Sequence, residues 1–274
     1  MYSTHTNHSI TKFVAVNYGV CSLSLVPCRA EPSDRSEMVT QLLFGDHFEI
    51  LEREAKWSKI RIAFDAYECY IDNKQITFID RSEFQSLEKI KFQRLSNDLA
   101  SLLSSGKDRI EPILLGSHLP EIKDSKFILS GTEYQFEGVC TELKKHGSRD
   151  DIIENAFMYL EAPYLWGGKS PFGIDCSGFV QMAFKLSGYK LPRDAWQQAE
   201  LGETLSFVEE ALPGDLAFFD NEEGRIIHVG IMLQNAHIIH ASGKVRVDKL
   251  DHHGIFNQET GTYSHNLRLI KRSL

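Results

Sequence analysis

Between Phe13 and about Asp80, apolar and polar positions alternate in short runs broken by turn residues. Val14, Val16 and Val20 lead into Leu23 and Leu25. They are followed by Leu42-Leu43-Phe44, Phe48-Glu49-Ile50-Leu51, Trp57-Ser58-Lys59-Ile60-Arg61-Ile62 and Tyr67-Glu68-Cys69-Tyr70-Ile71-Asp72. Short runs at this spacing predict a small all-β barrel over residues 1–80. From Arg81 to about Ser105 the period lengthens. Phe84, Leu87, Ile90, Phe92, Leu95, Leu99 and Leu102-Leu103 make a stripe that predicts a helical connector. Ile113-Leu114-Leu115, Phe127-Ile128-Leu129 and Tyr134-Gln135-Phe136 then return to strand character. A second small barrel is expected there, within residues 81–144.

A new helix is expected from Ser148-Arg149-Asp150-Asp151, with Ile152, Ile153, Ala156, Phe157 and Leu160 on one face. A Gly- and Pro-rich loop, Trp166-Gly167-Gly168-Lys169-Ser170-Pro171-Phe172-Gly173, runs into Asp175-Cys176. Beyond it Phe179, Val180, Ala183, Phe184 and Leu186 fall at helical spacing, Asp175 is placed as the N-cap and Gly188 as the stop. Three apolar runs follow, Leu216-Ala217-Phe218-Phe219, Ile226 to Leu233 and His237 to Ser242, and read as antiparallel strands joined by hairpins. Helices laid on one side of an antiparallel sheet make residues 145–274 an α+β domain.

Composition narrows the function. The 274-residue chain carries 38 acidic against 30 basic residues, a formal charge of −8, which argues against nucleic acid or an anionic membrane surface as the main partner. No apolar run is long enough to span a membrane. The five cysteines, Cys21, Cys28, Cys69, Cys140 and Cys176, form no C-x-x-C pair. Neither a disulfide framework nor a structural zinc site is signalled, and no cofactor is implied. The one stretch resembling an export signal, Lys12 to Pro27, is interrupted by Asn17, Ser22 and Ser24 and reads better as strand. A cytoplasmic location is expected, with export through a weak signal as the alternative.

Cys176 would open a helix, where unpaired N–H groups and the helix dipole stabilise a thiolate, so its pKa is expected below that of a free cysteine. A cysteine nucleophile needs a base, and the base needs a group that fixes its orientation. His228 and His240, twelve residues apart across two strands, can reach the same end of one sheet. On spacing alone, two half-buried strand histidines and a packed cysteine are the simpler reading. His237, three residues before His240, would point to the opposite face of the strand, which disfavours a shared zinc site.

Five motifs, in order, change that balance: Tyr164-Leu165-Trp166-Gly167-Gly168, Asp175-Cys176-Ser177-Gly178-Phe179-Val180, Pro213-Gly214-Asp215-Leu216, His228-Val229-Gly230-Ile231 and Ile239-His240-Ala241-Ser242. Together they resemble the NlpC family of papain-like cell-wall peptidases over roughly residues 145–274. The resemblance implies a Cys–His–His triad cleaving amide bonds of murein peptides. Cys176 would be the nucleophile, His228 the general base and His240 its orienting partner, with the Tyr164 hydroxyl beside the nucleophile.

The arrangement resembles the SH3-domain-containing γ-D-glutamyl-L-diamino acid endopeptidases, also called dipeptidyl-peptidase VI. One departure is that Tyr67-Glu68-Cys69-Tyr70 stands where that barrel commonly reads Tyr-x-Gly-Trp. The resemblance implies that Asp194 pairs with a free L-alanine ammonium and that Asp175 and Ser177 hold the D-glutamate part. It further implies that the barrel closes the amine pocket with Tyr67 and an acid, Glu31 or Glu37. The expected partners are murein-derived peptides. A non-catalytic murein-binding module, or an amidase or acyltransferase on the same core, are the alternatives.

Overall fold

The computed structural model describes residues 17–90, 93–106, 109–143 and 146–272; Phe13, Val14, Val16, Phe92 and the start of the Lys12–Pro27 stretch lie outside them. The N-terminal unit is seven strands: β1 Tyr18–Val20, β2 Leu25–Arg29, β3 Met38–Leu43, β4 His47–Arg53, β5 Trp57–Ile62, β6 Glu68–Asp72 and β7 Thr77–Ile79. They pair in the order β3-β2-β6-β5-β4-β1-β7 and build a small barrel. The alternation in the sequence is the reason. Val26 and Cys28 on β2, Phe48 and Ile50 on β4, Ile60 and Ile62 on β5, and Cys69 and Ile71 on β6 all turn inward to one core.

The stripe predicted as one helix over residues 81–105 is divided. Helix α1 spans only Arg81–Glu88, capped by Asp80, whose side chain accepts from the Glu83 N–H. Strands β8 (Gln93–Ser96) and β9 (Ala100–Ser105) follow. Between them lies Asn97-Asp98-Leu99, and the Asp98 carboxylate accepts from the Val139 N–H at 2.6 Å. A turn residue held by a distant backbone N–H converts the second half of the stripe to period two, with Ser101 and Leu103 inward and Leu102 outward. The strands expected to make a second barrel are β10 (Arg109–Leu114), β11 (Lys126–Leu129), β12 (Thr132–Glu137) and β13 (Cys140–Leu143). They join β8 and β9 as a four-stranded sheet, β10-β9-β12-β11, and a separate β13-β8 ribbon. Phe127, Tyr134 and Phe136 share a core with Val20, Phe44 and Ile79 of the first unit.

Helix α2 (Arg149–Phe157) begins at Ser148, which forms a reciprocal capping box with Asp151. A two-strand hairpin, β14 (Lys169–Ser170) and β15 (Gly173–Ile174), delivers the chain to helix α3 (Cys176–Leu186), and a single turn, α4, spans Ala195–Gln198. The remaining strands are β16 (Glu203–Leu205), β17 (Leu216–Asp220), β18 (Ile226–Met232), β19 (His237–Ser242), β20 (Lys244–Leu250), β21 (Gly254–Asn257) and β22 (Thr262–Arg272). Their order is β16-β22-β17-β18-β19-β20-β21, with a further β21–β22 pairing. Phe179, Val180, Ala183 and Phe184 of α3 pack on Val229, Ile231 and Ile239 of the sheet.

Every residue of α3 is buried, including Gln181 and Lys185 on the side away from its apolar stripe. That polar side faces the barrel. Lys185 Nζ donates to Asp46 Oδ1 at 3.1 Å, and Gln181 Nε2 donates to Asp65 Oδ2 at 2.9 Å. His118 of the middle unit brings its Nε2 to 3.6 Å from the same Asp46 oxygen, so one carboxylate touches all three parts of the chain. Burial alone would raise the Asp46 carboxyl, but Lys185, Lys169 and the Leu43 N–H overcome it and hold it at about 2.

Removing this anion leaves buried cations without a partner. Asp46→Ala is expected to cost about 3–5 kcal/mol in urea unfolding, against a smaller loss for Lys185→Met, because Lys169 and the Leu43 N–H still meet the carboxylate. Because the folded carboxyl is depressed, its contribution is complete above about pH 4 and is lost as the pH falls toward 2. The gap in stability between wild type and Asp46→Ala should therefore narrow across that interval. Equal stability of the two proteins at pH 7 would show that Asp46 is not the tie.

Candidate active site

The site is assembled at the start of α3. Asp175 is its N-cap and accepts from the Gly178 N–H at 2.6 Å, which places Cys176 at the first helical position. The loop before it is tied to the same carboxylate, whose second oxygen accepts from the Gly167 N–H at 2.8 Å. Gly167 has φ +75°, and a Cβ there would stand 2.2 Å from the Met38 carbonyl of β3, so glycine alone allows loop and barrel to meet.

Arg193 completes the arrangement. Its side chain is 1% exposed, and it donates to both Asp175 oxygens at 2.6 and 3.1 Å, to Ser177 Oγ at 2.8 Å and to Thr40 Oγ1 of the barrel at 3.0 Å. This arginine forms a buried ion pair with Asp175. Asp175 is consequently saturated: two backbone N–H groups and the guanidinium occupy its acceptor positions. Its side chain, and that of Ser177, point into this network.

Strand β18 brings His228 to the helix start, and the backbone N–H of Val229, the next residue, reaches the Cys176 sulfur. His228 Nε2 lies 2.8 Å from His240 Nδ1 on β19, with the rings nearly perpendicular at 84°. Gly230, directly opposite His240, makes this possible: a Cβ there would come within 2.8 Å of the His240 Cβ. Tyr164 is half-buried beside the thiol, and burial, with Cys176 and Asp175 nearby, pushes its phenol up to about 12. The structure thus brings Tyr164 and the strand that carries His228 to Cys176, and His240 to His228.

The expectation of a depressed thiol pKa is overturned. Cys176 is 7% exposed, and burial, reinforced by the adjacent Asp175 carboxylate, pushes the thiol up to about 12. The N–H groups of Val229 and Ser177 and the charge of Arg193 only partly offset this. Desolvation of a sulfur anion outweighs the dipole of a three-turn helix. Burial also lowers His228 well below the ordinary imidazole range, so the resting pair is a thiol beside a neutral imidazole.

Family comparison decides what this geometry belongs to. The NlpC/P60 family matches residues 161–263, and the bacterial dipeptidyl-peptidase Sh3 domain matches residues 28–76. A γ-D-glutamyl-L-lysine dipeptidyl-peptidase of Bacillus subtilis is 32% identical over 74% of this chain and 71% of its own length. The chain belongs to the NlpC/P60 family. It is a cysteine peptidase with an SH3-type barrel in front. Dipeptidyl-peptidase 6 of Lysinibacillus sphaericus is 28% identical over 85% of this chain and 92% of its own length. A crystal structure of an NlpC/P60 protein from Bacillus cereus shares the fold, with a TM-score of 0.81 at 19% identity, covering 94% of this chain and 99% of its own.

Among the residues suggested for the amine pocket, Asp194 and Tyr67 come together. Both are half-buried; burial, and then the Asp194 carboxylate, raise the Tyr67 phenol. Asp194 also occupies the N-cap of α4, where its N–H donates to Gln197 Oε1 at 3.1 Å. Glu37 reaches the cysteine loop by accepting from Trp166 Nε1 at 2.5 Å, whereas Glu31 sits on an exposed turn whose N–H donates to Ser36 Oγ. Trp166 itself is 60% exposed. One residue carried no signal in the sequence: His265 on β22 stacks on His228 with centroids 4.1 Å apart and planes at 23°. Burial pulls its pKa down to about 4, so it is a neutral plate against the His228 ring.

A family member with a neutral resting pair should alkylate slowly near neutrality. Iodoacetamide modification of Cys176, with Cys176→Ala subtracted for Cys140 and the other thiols, is expected to rise continuously from pH 6 to 10, following thiolate population. A plateau already present at pH 6 would mean a preformed thiolate–imidazolium pair and contradict the electrostatics.

Proposed function

We propose that this peptidase hydrolyses the γ-D-glutamyl-L-diamino acid bond of murein stem peptides bearing a free N-terminal L-alanine, releasing L-Ala-D-Glu. The observation that carries the reading is the approach of Asp194, from the catalytic unit, to Tyr67 of the barrel, with Asp175, the residue before Cys176, also near Asp194. Burial raises the Asp194 carboxyl, a cost that a bound ammonium would relieve by charge-assisted pairing. The names of the relatives from Bacillus subtilis and Lysinibacillus sphaericus support the same bond and the same end of the peptide. In this reading residues 145–274 are the papain-like α+β core and the barrel is a gate that admits released peptides and excludes stems whose alanine is still acylated. It favours recycling of wall fragments, in the cytoplasm, over opening of the wall.

The chemistry follows from the neutral pair. As the sulfur of Cys176 bonds to the scissile carbonyl carbon, the S–H bond breaks and its proton passes to His228. The carbonyl oxygen becomes an oxyanion, held by the N–H of Cys176 at the N-terminus of α3, with the Tyr164 hydroxyl close by. His228 returns the proton to the leaving amine, the C–N bond breaks, and water hydrolyses the thioester. Asp175 and Ser177 serve this step through the Arg193 network that fixes the helix start. Glu37, held against Trp166, is the better placed of the two barrel glutamates to line the pocket mouth.

Incubation with L-Ala-γ-D-Glu-L-Lys should release L-Ala-D-Glu, and Cys176→Ala should release none. Acetylating the alanine nitrogen should abolish cleavage, and Asp194→Asn should raise KM by about 10- to 100-fold, the worth of a hydrogen bond to a charged group. Equal rates on free and acetylated peptide would sink the amine pocket. Absence of dipeptide release by the wild type would sink the substrate assignment.

A further inference from the structure

The histidine pair does not end at His240. Its second ring nitrogen, Nε2, lies 3.1 Å from Asp248 Oδ2, and the two residues are only 1% and 2% exposed. Asp248 stands on β20, diagonally across from His240, which is itself paired with Arg246. Arg246 clamps the carboxylate from the far side. Its Nε donates to Oδ2 at 2.7 Å and its Nη2 to Oδ1 at 3.0 Å, and the guanidinium is steadied by Glu259 and Asn257 at 3.1 and 3.2 Å. Burial alone would raise the Asp248 carboxyl; the hydrogen bonds from His240 and Arg246 overcome it and hold it at about 2.

An ionised carboxylate only accepts, so the proton in the contact with His240 sits on Nε2. A neutral imidazole has one N–H, which leaves His240 Nδ1 as an acceptor. The 2.8 Å contact to His228 Nε2 then places a proton on that nitrogen. The free lone pair of His228 is therefore on Nδ1, the nitrogen not engaged by His240. Burial lowers the pKa of His240, and His265, whose ring lies against both, is pulled down to about 4. Both rings are neutral near pH 7.

We propose that Asp248 is a positioning residue of the reaction, the fourth member of a line Cys176, His228, His240, Asp248, and that it sets the ring tautomer of both histidines. The proposal rests on reading Cys176 and His228 as nucleophile and base. Arg246 is its necessary companion, because a protonated Asp248 could donate instead and reverse both tautomers. When His228 accepts the thiol proton, the new imidazolium is faced, through neutral His240, by a fixed anion. The charge that develops in attack is thereby met without reorganisation.

Histidine ring-nitrogen NMR on the 274-residue chain tests this without substrate. His228 and His240 should both carry their proton on Nε2. Asp248→Leu, close in size but unable to accept, should lose the single tautomer at His240 and lower kcat on the tripeptide about 10- to 100-fold, with KM within about twofold. Asp248→Asn, whose amide oxygen can still accept, should keep the Nε2–H form and recover most of that loss. If the leucine variant does not fold, the wild-type spectrum and the asparagine variant decide. A proton on His240 Nδ1 in the wild type overturns the proposal, and so does an unchanged kcat in a folded Asp248→Leu. A protein with both Nε2–H tautomers that leaves the tripeptide intact counts against the proposed substrate and not against this assignment.

Discussion

The buried guanidinium of Arg193 binds together the helix cap, the residue after Cys176 and the barrel. Its donors run to the carboxylate that caps α3, to the hydroxyl of the residue after the nucleophile and to a threonine of the barrel. A buried ion pair contributes little net stability compared with apolar packing, but a misplaced one is costly, since either charge left alone must be desolvated without compensation. The consequence is selectivity among docking geometries. The pose of the barrel that places Thr40 on Arg193 also seats the Met38 carbonyl over Gly167.

The same tight closure sets the electrostatics of the nucleophile. A cysteine at an exposed helix start would gain from the dipole, yet here the loop, the helix and strand β18 exclude water from the sulfur, and the cost of an isolated thiolate dominates. The site answers this by keeping the resting pair neutral and supplying its fixed charge farther out, where Asp248 and Arg246 sit at the end of the histidine line. In the proposed reaction, separation of charge is then confined to the moment of attack, when the oxyanion and the imidazolium form together.

Docking of the barrel combines an apolar contact, Leu43 joining the core around α3, with a set of polar ones. Gln41 accepts from the Lys169 N–H, Asp65 from Gln181, and Asp46 from Lys185. This explains a feature of α3 that periodicity did not convey. Its apolar stripe was read as one buried face, which is what packs on the sheet, but Gln181 and Lys185 belong to a second buried face. A helix flanked by a sheet and by a polar domain interface has the pattern of a surface helix with nothing at the surface.

The local pattern of the chain determined the barrel strands, the capped helices α2 and α3, the strands carrying His228 and His240, and the cysteine at the helix start. Each of these is set by neighbours within a few positions, through alternation, caps and glycine. The helix predicted through residue 105 ended at Glu88, and the second half of its stripe became strands β8 and β9, whose partners β13, β10 and β12 lie farther along the chain. Tertiary structure alone decided that Arg193 is buried on Asp175, that Glu37 and not Glu31 lies by the cysteine loop, that His265 covers His228, and that Asp248 stands behind His240. It also reversed the direction of the thiol pKa. The physical reason is common to all: hydrogen-bond partners and desolvation depend on which surfaces meet, and a linear pattern records which residues must be buried without recording what will be buried against them.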